Sequence, residues 1–151
     1  MSWSMSFLLM AGLAVGETKS PEAFDYFDNY SDGYYLAKKL EKPLLVILNP
    51  GKDSDNVAIR LSDVRKTRER RAILPSYVVV VVDTDTKYGK TVHGLFGSKN
   101  VPRVVVIDRK QKFQIFQSDK HLQGEDWNKI LKTFKSGDLE VRLDLDAPCH
   151  A

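Results

Sequence analysis

The chain has 151 residues, of which 42% are hydrophobic and 28% are charged. This is the composition of one globular domain, and it excludes a largely disordered chain. The 23 basic and 20 acidic residues are mixed along the sequence, and their net charge of +3 does not indicate a nucleic-acid partner. The one cysteine, Cys149, excludes an intrachain disulfide and every CxxC redox or metal motif.

The N-terminus contains an apolar stretch at residues 7–15 that has the length of a signal-peptide core and is too short to span a membrane. Ala14 and Gly16 are small residues where a signal peptidase prefers them, although no Lys or Arg precedes the stretch. One interpretation is a signal peptide over 1–16, a linker over 17–23 and export to the periplasm or the extracellular space. The other is a first amphipathic segment of the fold in a protein that stays in the cytoplasm.

The remaining sequence predicts one domain over residues 24–136 and a C-terminal tail over 137–151. YYLAKKLEK, after Asp32-Gly33, has the spacing of a short amphipathic helix that Pro43 ends. Leu44–Leu48 is a continuous apolar run and predicts a strand that is covered on both faces.

The next segment begins with the polar loop NPGKDSDN and predicts a helix that continues to Pro75. Ser54 or Asp55 is expected to cap that helix, with Asp53 near its positive end. Tyr77–Val82, rich in β-branched residues, predicts a second buried strand.

The last third of the domain predicts a helix over Lys90–Phe96 and strands over Arg103–Asp108 and Gln111–Gln117, closed by an amphipathic helix over Asp126–Phe134. The connection between the two strands is short enough for a hairpin, so this pair is expected to be antiparallel. The whole order predicts an α/β fold with a mixed sheet of about four to five strands, covered by helices on both faces.

That order, with KPLLVIL, YVVVVVDTD, FGSKNVPRVVVID and a terminal amphipathic helix, resembles the thioredoxin-like superfamily, closest to its secreted bacterial members. The resemblance covers roughly residues 24–135. Val101-Pro102, directly before a strand, resembles the cis-proline loop that faces the active site in that family. A cis bond also suits the chemistry, because only X-Pro bonds adopt it at low cost.

The resemblance places the family's CxxC motif on Asp53–Asn56, where neither cysteine position holds a sulfur. Dithiol exchange at this loop is therefore excluded, and Ile47 stands where the family has a buried acid. The preferred hypothesis is a redox-inactive module that needs no cofactor and binds a protein or peptide on the cis-proline face. The residues expected to form that surface are Lys52, Asp53, Ser54, Asp55, Asn56, Val101, Pro102 and Arg103. The alternative is a thiol-dependent oxidoreductase or a redox-linked protein that acts through Cys149 in the tail.

Other motifs give weaker indications. Asp53 and Asp55 do not continue into a calcium loop, because Val57 takes the next ligand position. His93 and His121 lack the spacing of a metal site. The basic run 65–71 is either a solvated helix face or a contact for phosphates or acidic partners. An aromatic cluster is either core or a peptide-binding ledge, and its members are Phe24, Tyr26, Phe27, Tyr30, Tyr34 and Tyr35.

Overall fold

The structure is a computed structural model that describes residues 26–138. The signal-peptide and linker predictions, Phe24, the tail beyond residue 138 and Cys149 lie outside these residues. The helices are α1 (Tyr30–Leu40), α2 (Leu61–Val64), α3 (Arg68–Ile73), α4 (Lys87–Leu95) and α5 (Gly124–Phe134). The strands are β1 (Leu44–Asn49), β2 (Val78–Asp83), β3 (Arg103–Ile107) and β4 (Gln114–Ser118), and a 3-10 turn, Leu74–Ser76, precedes β2.

The four strands form one mixed sheet in the order β2-β1-β3-β4. β1 and β2 are parallel, so that Asn49 lies opposite Asp83 at their carboxyl ends. β3 is antiparallel to both β1 and β4. The predicted mixed sheet and the antiparallel hairpin are therefore confirmed.

Two apolar clusters cover the two faces of the sheet, as the sequence predicts. All six residues of β1 are buried, because alternate side chains enter opposite clusters. Leu45 and Ile47 lie in the cluster that also contains the apolar face of α5. Leu44, Val46 and Leu48 lie in the cluster that contains residues of α1 and α4. A strand buried on both faces explains the continuous apolar run.

The segment between β1 and β2 differs from its prediction of one helix capped by Ser54 or Asp55. Residues 50–60 contain no helix, and the Ser54 hydroxyl instead accepts a hydrogen bond from the Asn56 N–H within the loop. α2 begins at Leu61 without a side-chain cap. The Thr67 hydroxyl then caps α3 by accepting from the Arg70 N–H at 3.2 Å, so a second helix starts where the sequence pattern looks continuous.

The basic run between residues 65 and 71 is not only a solvated helix face. The Arg70 side chain is buried, and its guanidinium donates to the Thr67 hydroxyl and to the Asp63 carbonyl. Arg71 donates to the carbonyls of Arg65 and Lys66. These two arginines thus hydrogen-bond backbone carbonyls at the end of α2 and in the connection to α3.

Candidate functional site

The loop after β1, residues 50–58, is anchored by the side chain of Asn49. This side chain is buried, its Nδ2 donates to the Ile59 carbonyl at 2.9 Å, and its Oδ1 accepts from the Ile59 N–H at 2.8 Å. A primary amide can bond to both the N–H and the carbonyl of one residue because it carries both a donor and an acceptor. The pair of bonds fixes both ends of the loop at the carboxyl edge of β1.

The loops after β1 and β2 are also tied to each other. The Asn49 carbonyl accepts from the Thr84 N–H at 3.0 Å and from the Thr84 hydroxyl at 2.8 Å. A Cβ on Gly51 would overlap the carboxylate of Asp85, so the two loops are in direct contact at this point. The carboxyl ends of the two parallel strands therefore present one continuous surface.

The five loop residues expected to form the binding surface, Lys52 to Asn56, are all exposed. Lys52, Ser54 and Asn56 line a groove on the β2 side of the loop. Asp53 and Asp55 do not line that groove. The loop from Lys52 to Asn56 thus carries polar side chains and no sulfur.

The other part of the expected surface lies on the β3 side. Arg103 pairs in register with Leu48, which puts Val101 and Pro102 beside the end of β1. The Val101–Pro102 peptide bond is cis, and both residues are half-buried. Arg103 differs from its expected place on the surface: it is only 5% exposed, and its Nη2 donates to the Gln117 amide oxygen of β4 at 2.6 Å. It pairs across the β3–β4 ladder instead of facing solvent.

The groove on the β2 side has a volume of about 830 Å³ and is formed by three segments of the chain. The lining residues come from 26–29, from the loop 49–58 and from 81–88. A groove of this size is large enough for a small ligand or a few residues of a peptide. It does not include Val101, Pro102 or Arg103, so the surface expected from the sequence is divided between two sides of the loop.

Tyr88 is a groove residue that the sequence analysis missed. Its hydroxyl donates to the Asn29 side chain at 3.2 Å and accepts from the Tyr30 N–H at 3.0 Å, so it fixes the start of α1 against α4. Burial raises the pKa of Tyr30, and its neighbours Tyr34 and Tyr88 raise it further. The clustering of tyrosines between 26 and 35 was a signal for this region, although Phe27, Tyr30 and Tyr34 pack on the core.

Residues 26–138 hold neither a thiol nor a cluster of potential metal ligands. This part of the chain contains no cysteine, and none of its His, Asp and Glu residues form a group of three that could hold a metal ion. No helix within the same range is long and apolar enough to cross a bilayer.

The chain matches no protein-family model and no curated protein. Its structure is similar to a thioredoxin from Thermus thermophilus, with a TM-score of 0.58 and 15% identity over 74% of this chain and 89% of that one. It is also similar to chloroplastic thioredoxin z, with a TM-score of 0.55 and 11% identity over 76% and 98% of the two chains. For DsbH oxidoreductase, the TM-score is 0.51 and the identity is 14%, over 87% of this chain and 96% of that one.

These three structures share the arrangement of strands and helices with the chain, and their identities to it are too low to transfer an activity. The resemblance inferred from the sequence is confirmed at the level of the fold: the chain has a thioredoxin-like fold.

Proposed function

We propose that this protein is a binding module on a thioredoxin-like fold that performs no dithiol–disulfide exchange at the loop after β1. One observation carries the proposal: Asp53 and Asn56 stand where the resemblance places the two motif cysteines. Neither side chain forms a thiolate or a disulfide, so the chemistry of the redox motif is absent where the resemblance places that motif.

The backbone around these positions supports the same proposal. A thiol at a helix N-terminus has a lowered pKa, because the helix dipole stabilises the thiolate. Residues 53–56 lie in an irregular loop, and α2 begins only at Leu61. Two cysteines placed in this loop would therefore lack the helix terminus that activates a thiol.

The proposed binding surface is the carboxyl edge of β1, made of the loop 50–58 and of Val101 and Pro102. The loop presents exposed polar side chains on a backbone anchored by Asn49. A surface held in one conformation loses little entropy on binding, which favours recognition of a partner. The occupant that we propose is an extended segment of a protein or peptide.

The redox part of the proposal is tested by insulin reduction in the presence of dithiothreitol. The variants are Cys149→Ser and, in that background, Asp53→Cys combined with Asn56→Cys, with a dithiol thioredoxin as the positive control. We expect the unmodified protein and Cys149→Ser to give the same background rate. The double-cysteine variant should stay at least about tenfold below the thioredoxin, because its thiols are not activated.

Loss of a measurable rate on Cys149→Ser would overturn the proposal and favour the thiol-dependent alternative. The binding part is tested with a displayed library of linear peptides selected on the full chain. Selected peptides should lose affinity for Val101→Glu or Ser54→Arg, and binding that tolerates both changes would contradict the proposed surface.

A further inference from the structure

The outer edge of β2 is paired over only part of its length. The Phe27 N–H donates to the Val79 carbonyl at 2.9 Å, and the Val81 N–H donates to the Phe27 carbonyl at 2.8 Å. The chain then turns away at Asp28 and Asn29 to enter α1. Toward α1, the strand-like pairing therefore ends at Phe27.

Along β2, the backbone N–H and C=O groups of successive residues point alternately toward β1 and toward the outer edge. This alternation shows which groups have no partner within residues 26–138 where the chain turns away. The N–H groups of Val78 and Thr84 point toward β1, where they bond to the carbonyls of Pro43 and Asn49. Odd-numbered residues of β2 must then point outward, as the two bonds to Phe27 show. The Val81 carbonyl and the Asp83 N–H are the next outward pair, and no residue between 26 and 138 bonds to either of them.

This open stretch of strand edge lies in the groove, since Val81 and Asp83 both line it. An extended peptide can add to an open edge of this kind by main-chain hydrogen bonds. Tyr26 and Tyr88 are 55% and 41% exposed on the walls, where their rings offer apolar area to the stem of a long side chain. The groove thus offers contacts to both the backbone and a side chain of an incoming segment.

The charges of the groove select the sign of that side chain. Asp28 and Asp83 contribute two exposed carboxylates, against one cation, Lys52. Within the described residues, neither carboxylate has an ion-pair partner. One oxygen of Asp83 accepts from the Asp85 N–H, and the other is available to a ligand. An anionic ligand would be repelled here, whereas an ammonium or guanidinium group would be attracted.

We propose that this groove binds an extended polypeptide segment containing lysine or arginine. The segment would pair with the Val81 carbonyl and the Asp83 N–H, and its basic side chain would lie between the carboxylates of Asp28 and Asp83. In this proposal the partner is a basic segment, and its backbone contacts lie on the β2 side of the loop. The proposal rests on the proposed function only in assigning the protein a peptide-binding role.

The test is a titration of the ¹⁵N-labelled full chain with acetyl-Val-Lys-Val-Lys-Val-amide, with acetyl-Val-Glu-Val-Glu-Val-amide as the matched control. The lysine peptide should shift the amide signals of Asp83 and Tyr88, and the glutamate peptide should leave them unchanged at the same concentration. Asp28→Asn combined with Asp83→Asn should weaken binding about fivefold. Asparagine keeps the acceptor for the Asp85 N–H, so the turn after β2 should stay intact.

Peptide N-methylation tests the backbone pairing separately from charge. Because N–H groups alternate along a strand, methylation of one alternate set of peptide amides should abolish the shifts, and methylation of the other set should preserve them. Equal shifts by both peptides, no shift by the lysine peptide, or tolerance of both methylation patterns would each overturn the inference.

The variant Val101→Glu separates this inference from the proposed function. Val101 lies outside the groove but belongs to the proposed surface, so loss of lysine-peptide binding in this variant reports that surface, whereas loss in the double asparagine variant reports the groove. Binding that is lost in Val101→Glu and kept in the double asparagine variant would refute the groove while supporting the surface on the β3 side.

Discussion

Two glycines of α4 should respond with opposite signs to the same substitution by alanine. Gly89 and Gly94 both lie in the helix, where alanine is intrinsically more favourable than glycine by about 1 kcal/mol. A Cβ on Gly94 would have only the Ser98 hydroxyl near it, at 4.0 Å. A Cβ on Gly89 would overlap the Asp83 carbonyl oxygen and would lie 2.7 Å from the carbonyl carbon. The first site has room for a methyl group, and the second is closed by backbone.

The magnitude follows from these distances. A carbon atom and a carbonyl oxygen in contact are separated by about 3.3 Å, so the overlap of the new methyl group with the Asp83 oxygen would require the start of α4 to move by more than about 1 Å away from β2. Overpacking costs about 1–3 kcal/mol, and the upper end applies because a backbone carbonyl cannot rotate away as a side chain can. After the gain in helix propensity, we expect Gly89→Ala to lower the free energy of unfolding by about 2 kcal/mol. Gly94→Ala should raise it by about 0.5–1 kcal/mol.

The assay is urea denaturation of the full chain followed by far-UV circular dichroism, with both variants and the unmodified protein measured side by side. If the free energy of unfolding depends on urea concentration with the same slope in all three proteins, differences between their midpoints report differences in stability alone. A Gly89→Ala variant as stable as Gly94→Ala would refute the reasoning, because it would mean that the helix is not packed on the Asp83 carbonyl. Thr86 and Tyr88 line the groove from the same turn, so the result also tests how firmly that wall is held.

Two further predictions concern buried polar contacts. Asn49→Ala should lower the free energy of unfolding by about 2–4 kcal/mol, because it leaves both the N–H and the carbonyl of Ile59 unpaired. Hydrogen exchange of the Ile59 amide should accelerate. The exposed control Ser54→Ala should change the free energy of unfolding by no more than about 0.5 kcal/mol. Tyr77→Phe removes a 2.8 Å hydrogen bond to the Leu131 carbonyl and should cost about 1 kcal/mol at neutral pH. Burial raises the pKa of Tyr77 above its ordinary value of 10.0, so its contribution to stability is complete below that pH and is lost as the pH rises through the folded-state pKa. The free energy of unfolding of Tyr77→Phe should therefore fall less steeply with pH in the alkaline range than that of the unmodified protein. An equal fall in both proteins would contradict this account.

The sheet and its coverage could be predicted from the sequence because burial on both faces leaves a direct pattern. Leu44–Leu48 and Tyr77–Val82 are continuous apolar runs, and in the structure both lie in the sheet between two layers of helices. Helix starts were less well predicted, since α4 begins at Lys87, three residues before its expected start, where Thr86 caps it. A cap depends on local geometry that several polar residues could satisfy.

The candidate site was predicted only in part, because its shape depends on contacts between distant residues. The sequence selected the loop 52–56 as a candidate binding surface, but the two hydrogen bonds between Asn49 and Ile59 have no sequence signature. A helix cap at Ser54 and a turn at Ser54 use the same residue types, so the pattern could not distinguish them. Arg103 was expected on the surface because it follows Val101-Pro102, and its hydrogen bond to Gln117 depends on how β3 and β4 pair.

The bridge that Phe27 forms with β2 also affects the tendency of the chain to self-associate. β2 carries five consecutive valines, and its outer strand edge would be a template for cross-β pairing if it were fully open. Phe27 occupies the middle of that edge, and the exposed carboxylate of Asp83 stands at its end as a charged gatekeeper. A chain shortened to begin at Tyr30 would expose the valines to other molecules. We expect such a chain to form aggregates that bind amyloid dyes, while the intact protein stays dispersed.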